Sequence, residues 1–414
     1  MNRKKRKPNR LLAAPPLAEA LGRENGFGLL RLTLALAVIF AHAMPLGFGS
    51  ADLGFTESRG QTNVGAIAVN GFFVLSGLLI TRSGVRLSTG RFLWNRAIRI
   101  LPAFWVCLLL TALVIAPLVA HRQGRLDVFW SDPQGPWQYI RANWGLGVGQ
   151  WGISGLLNHN PHAGAFNGSV WSLAYEVFCY FAVAALAAIG LFRRSTRWTV
   201  ALMVAGLYAF MFSIAIDFDL MRAPQYPPTG LPGWQLPFLG GLGMEMLLPL
   251  ILMFGFGALA ELYKDRLRMN AVAAALALVV FLVTARYGGF TMIGLPAFAY
   301  LLIWLAARMP RPLTKVGTKV DLSYGVYIYA FPIQQCLTLL ALNRHGYAVY
   351  TGLSVLLSLV AALFSWYLVE KPALRLKDIG KKKSRPAEAE APAAAPAAAP
   401  AYDDRDAPLA DSRS

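Results

Sequence analysis

The sequence predicts an all-α integral membrane protein, a helical bundle of about ten transmembrane helices, and three observations carry that expectation. Only 14% of the 414 residues are charged and 56% are hydrophobic, whereas a soluble domain carries about 25% charge. Apolar runs recur at about 20 residues, the length that crosses a hydrocarbon core of about 30 Å. Lys and Arg, finally, gather in alternate connecting segments, as the positive-inside rule requires.

The spans are expected at 27–48, 64–82, 101–120, 170–191, 199–216, 241–262, 270–286, 291–308, 321–342 and 350–369. With the N-terminus inside, 32 of the 39 basic residues fall on the cytoplasmic side. Arg59, Arg122, Arg125, Arg141, Arg222, Arg286 and Arg344 remain outside. Both termini are therefore expected in the cytoplasm, and the first run reads as a retained helix, not a cleaved signal. The net charge of +18 follows from this topology, so no nucleic-acid partner is expected. The expected organisation is a basic segment at 1–23, a transmembrane domain at 24–375 and a tail at 376–414. The Ala/Pro-rich tail lacks the apolar residues to build a core and reads as disordered. Its Lys381-Lys382-Lys383 run suits either anionic lipid or a topology anchor. Loops at 121–169 and 217–240, rich in Trp, Gly, Pro and Asn, face the outside.

Ionisable residues inside a bilayer are costly and mark function. In the first helix Arg31 and His42 are eleven residues apart, which puts them on one face and about 17 Å apart along the axis. His42 then lies in the outer half of the membrane, where an imidazole is suited to proton transfer. The bland alternative is a satisfied core histidine. Glu176, in the entering helix Ser169-Val-Trp-Ser-Leu-Ala-Tyr-Glu176, lies at similar depth. It is a candidate to orient His42, against the alternative of simple helix–helix bonding.

Gly71, Ser76 and Gly77 in the second helix permit close helix approach, and Ser76 reads as packing because no base is evident beside it. Arg96 and Arg99, three apart, repel unless an anion binds between them; guanidinium geometry suits phosphate, and ordinary anchoring is the competing account. The segment Asp321-Leu-Ser-Tyr324-Gly-Val-Tyr327-Ile-Tyr329-Ala330-Phe-Pro332-Ile-Gln334-Gln335 is dense in polar groups, lining a cavity or bonding neighbouring helices. Cys107, Cys179 and Cys336 lie in apolar runs and read as packing residues. No P-loop, nucleotide fingerprint or metal-ligand cluster is present, and no metal is expected.

Taken in order, the Arg31/His42 helix, the FFVLSGLLI segment, the RxxRIxPxxW stretch, the NGSxWSLxxE entrance, the SYGVYIYxFP helix and the closing Glu370-Lys371-Pro372 resemble the acyltransferase 3 family. The resemblance implies an O-acyltransferase of a bacterial cytoplasmic membrane. Its co-substrate would be acyl-CoA, with acetyl or succinyl as the acyl group, and its acceptor a saccharide or glycolipid hydroxyl outside. It further implies that His42 is the essential histidine, assisted by Arg31 and Glu176, and that Arg96 and Arg99 bind the donor. His42 acts either as a base or as a transient acyl carrier. Asn70 and Ala330 stand where many members have Asp and His, so those two roles do not carry over. A flippase for a lipid-linked sugar is the rival reading; it accounts for the spans and leaves the Arg96/Arg99 pair unexplained.

Overall fold

The computed structural model describes residues 14–22, 24–217 and 232–379. The basic residues Arg3 to Arg10 and Arg23, most of the 217–240 loop and the tail beyond Ile379 lie outside the described residues. The long helices are α1 Phe27–Phe48, α2 Val64–Arg86, α3 Thr89–Arg122, α4 Ser169–Ala188, α5 Arg197–Asp217, α6 Met244–Leu262, α7 Ala271–Tyr287, α8 Phe290–Arg308, α9 Ser323–Leu339 and α10 Tyr347–Arg375. Among the described residues the only strands are Trp234–Leu236 and Gly240–Leu242, a short antiparallel hairpin.

Eight of these helices are long and apolar enough to cross a membrane, and the protein is an integral membrane protein on that ground. The expected ten spans are thus supported for eight. The other two, α7 and α9, are 17 residues each, at the lower limit for a spanning helix. The expected inner loop before residue 101 also needs correction. α3 runs unbroken from Thr89 for 34 residues, so Arg96 and Arg99 sit within the helix. It tolerates them because Arg99 has acidic partners on neighbouring helices.

α2 is the central element, packed against α1, α4, α6 and α8. Its start is capped by Asn63, whose side chain accepts from Ala66 N at 2.7 Å. At its crossing with α6 a Cβ on Gly77 would strike the Phe254 carbonyl, and one on Gly257 the Val74 carbonyl. Backbone contact through small residues is how helices associate where lipid is as apolar as the protein. At the end of this pair Glu261, 6% exposed, holds Arg82 at 2.9 Å and Lys264 at 2.6 Å.

The segment between α3 and α4 has its own core, in which Phe129, Tyr139, Ile153, Leu156 and Phe166 pack on the far end of α3. Gln335 ties this cap to α9 by donating to the carbonyls of His162 and Ala165 and accepting from Asn160. Gln334 donates to Ile39 O on α1. The two amides of α9 therefore bond neighbouring elements. The three cysteines are free, with Cys107 and Cys179 buried and Cys336 partly so.

Candidate active site

Helices α1, α2, α3, α4 and α9 line a half-open cavity of about 130 Å³. It is lined by Arg31, Arg96 and Arg99, by Ser76 and Glu176, and by Tyr180, Tyr324 and Tyr327. A space of about this size accommodates a group such as benzene. It suits the reactive end of a larger molecule.

Glu176 is fixed within it. Its Oε1 accepts from Ser76 Oγ at 2.8 Å and from Tyr180 OH at 2.7 Å. Tyr180 is one helical turn from Glu176, so the same α4 face presents both. Ser76 comes from α2, a hundred residues earlier, and that pairing has no signature in either segment alone. The expectation that Ser76 only packs is thereby corrected: the carboxylate that was not evident in the sequence lies directly beside it. Gly71 and Gly77 do serve close packing, against Leu34 and the Phe254 backbone.

The arginines divide into two kinds. Arg99 donates to Asp321 Oδ2 at 2.6 Å and to Glu370 Oε2 at 3.1 Å, and Asp321 Oδ2 also takes Arg31 at 3.1 Å. Glu370, 3% exposed, accepts from Ser365 Oγ as well, at 3.1 Å. Arg31 and Arg99 together are thus matched by two carboxylates, which relieves part of the repulsion expected between Arg99 and Arg96. Among the described residues Arg96 has no such carboxylate, and its Nε is buried without a hydrogen-bond partner, as is Arg31 Nε. A buried donor left unmade costs about 1–3 kcal/mol. These nitrogens are the unused donors of the cavity wall.

His42 stands apart from the cavity lining, further along α1 from Arg31. The expected Glu176 partnership is replaced by another: His42 Nδ1 faces Asp52 Oδ1 at 3.6 Å. The His42 ring meets the edge of Phe331 at 5.8 Å, and His162 meets the same ring at 5.7 Å. Desolvation of the half-buried imidazole, then the neighbouring His42, hold the pKa of His162 below the ordinary histidine value against the pull of Asp52. His121, His159 and His345 are exposed. On α9, Tyr324, Tyr327 and Phe331 follow at three and four residues, one face of a helix. The cavity wall at Tyr327 thus continues within about 6 Å of helix rise to the ring that His42 touches.

Asn70 donates to Ala66 O of its own helix, and Ala330 is buried with no polar group to offer. Neither supplies acid–base chemistry.

Arginines and a carboxylate line one half-open space, with a histidine beyond it in the same bundle, an arrangement suited to group transfer within a membrane. The acyltransferase 3 family, described as an acyltransferase domain, matches residues 24–369, and the chain belongs to that family. It is 29% identical over 359 residues to an O-acetyl transferase of Shigella phage Sf6, covering 84% of this chain and 96% of the relative. It is 27% identical over 389 residues to nodulation protein 10 of Rhizobium leguminosarum bv. viciae, covering 88% and 96%. No solved structure matches. The protein is an acyltransferase, and its membership in a transferase family sets aside the flippase reading.

Proposed function

We propose that the enzyme moves an acyl group, acetyl or succinyl, from cytoplasmic acyl-CoA to a hydroxyl of an extracytoplasmic or lipid-linked saccharide. The membrane is then the cytoplasmic membrane of a bacterium, with both termini inside. The observation that carries this reading is the cavity that gathers Arg31, Arg96 and Arg99 at one end of the bundle, one helical turn short of the Phe331–His42 contact. Positive-inside bias supports a cytoplasmic position for that end.

In this reading the phosphates of the donor meet Arg96 first, since Arg99 and Arg31 are held by Asp321. The pantetheine arm passes through the space beside Ser76, Glu176, Tyr324 and Tyr327 and carries the thioester on toward the Phe331–His42 contact. The apolar remainder of the wall keeps water from the thioester. His42 then takes the proton of the acceptor hydroxyl or carries the acyl group itself.

The test is transfer by the purified full chain in lipid nanodiscs, given labelled acetyl-CoA or succinyl-CoA with envelope glycans from a deletion strain. Release of CoA coupled to a glycan mass gain of one acetyl or one succinyl group is expected. Transport of a lipid-linked sugar without CoA release would contradict the reading.

A further inference from the structure

We propose that Asp52 is the positioning carboxylate of His42, holding the imidazole with its proton on Nδ1 and its Nε2 lone pair presented to the acceptor hydroxyl. The inference rests on the transfer reading above and adds the outer half of its machinery.

Asp52 is ten residues beyond His42, outside α1, and nothing in the spacing pairs them. The chain is turned back by Gly49, which closes α1 in the left-handed region at φ 64° with its N–H on Met44 O and Pro45 O. Such a glycine ends a helix without Cβ strain. The loop that follows is anchored on both sides of the bend. Leu53 O accepts from Val64 N at 2.9 Å, and Ser58 Oγ bonds Thr62 O at 2.6 Å. Gln61 donates to Thr284 O and Ala285 O at 3.0 Å each. Asp52 is thus carried on a fastened loop, which is what an orienting group requires.

The atom that faces His42 is the informative one. Asp52 Oδ1 is buried and has no hydrogen-bond donor, and His42 Nδ1 stands 3.6 Å away. A desolvated carboxylate oxygen without a donor is costly, and Nδ1–H is the donor that removes the cost. The separation is longer than a formed hydrogen bond; catalytic bonds are often long before substrate arrives and tighten in the complex. The groups facing His42 from other elements include Phe331 of α9 and His162 of the cap, which senses both His42 and Asp52. Beside these, Asp52 Oδ1 is the carboxylate oxygen within reach of Nδ1.

With His42 so held, the acceptor hydroxyl gives its proton to Nε2 while its oxygen forms a bond to the thioester carbonyl carbon. The carbon–sulfur bond then breaks, and the departing CoA sulfur recovers the proton from His42. Asp52 takes no proton at any point; it fixes the tautomer and steadies the imidazolium.

The experiment uses the full chain with 15N-labelled histidine in nanodiscs, the His42 signals being assigned through H42Q. In the wild type the His42 nitrogens should show Nδ1–H and a bare Nε2. In D52N the population should move toward Nε2–H, kcat should fall at least about tenfold, and the donor KM should stay within about twofold. D52E, which restores a carboxylate on a longer arm, should recover the tautomer and part of kcat. It also decides the matter should D52N fail to fold. The NMR measurement stands whether or not a given glycan proves to be the acceptor, so failure of the transfer reading is seen separately, as no CoA release by the wild type. Unchanged His42 tautomer and unchanged kcat in folded D52N would overturn the proposal. So would D52E behaving like an empty position, with neither the tautomer nor kcat restored.

Discussion

Arg99 and Asp321 meet at 2.6 Å across 222 residues of sequence, and the same carboxylate oxygen also receives Arg31. Three elements are tied through one atom: α1, α3 and the turn that leads into α9. Asp321 therefore sets the spacing of the cationic wall, and Glu370 of α10 completes it from the other side.

Replacing Asp321 by Asn leaves Arg31 and Arg99 facing one another with half of their compensation gone. Breaking one side of a buried ion pair costs about 3–5 kcal/mol. The partial exposure of Arg31, with 30% of its side chain accessible, moderates that toward the lower end. Asp321→Asn should therefore lower the melting temperature in detergent and raise the donor KM. Thermal unfolding followed by tryptophan emission would show the first effect, and CoA-release kinetics the second.

Arg96 and Arg99 should separate in mutagenesis. Arg96→Gln removes an arginine with no acidic partner, so the fold should persist and donor binding should weaken about tenfold, the worth of one charge-assisted contact. Arg96→Lys should rescue only in part, because an ammonium lacks the guanidinium fork. Arg99→Gln strands Glu370, while Asp321 keeps Arg31, and should instead show as lost stability. Equal donor binding by wild type and Arg96→Gln would place the phosphates elsewhere.

Glu176→Gln keeps the shape of the cavity while removing the charge that Ser76 and Tyr180 point toward. Turnover should fall by about tenfold or more, with melting near wild type. Ser76→Ala should be milder, since Tyr180 still holds Oε1. Single-turnover rates at saturating donor give the comparison; a larger loss in Ser76→Ala than in Glu176→Gln would mean that the hydroxyl has a part of its own.

His162 makes a pH-dependent contribution whose sign is fixed. Its pKa is lower in the fold than in the unfolded chain, where it is about 6.5. As pH falls below about 6.5 the unfolded chain takes the proton first, so stability declines until pH drops beneath the folded value. His162→Gln should abolish that part of the decline, visible as a flatter melting temperature between about pH 7 and pH 5.

The bundle was legible because hydropathy and Lys/Arg bias act through length and composition alone. The helices from Phe27, Val64 and Met244 start within three residues of where the apolar runs place them. Where charge lies within a helix the reading stopped short: Arg91, Arg96 and Arg99 made the first three turns of α3 look like a loop. Of the candidate site, helical spacing related Arg31 to His42 on one face and Tyr324 to Tyr327 on another. The contacts that assign partners were not legible, because they join distant segments. Ser76 with Glu176, Arg99 with Asp321 and Glu370, and His42 with Asp52 each depend on packing or on a folded-back loop. Equal depth in the membrane made Glu176 a reasonable partner for His42; depth does not fix which helices are neighbours or which way each face turns.

The central claim is that His42 performs or carries the transfer, and one comparison bears on it most directly. Wild type and His42→Ala, matched for melting temperature in nanodiscs, are given acetyl-CoA and glycan, and the rate of acyl appearance on the glycan is measured. General acid–base help is worth about 10²–10⁴ in rate, so the account predicts loss of transfer by at least about 10² in His42→Ala with donor binding retained. Transfer at the wild-type rate by the folded variant would contradict it.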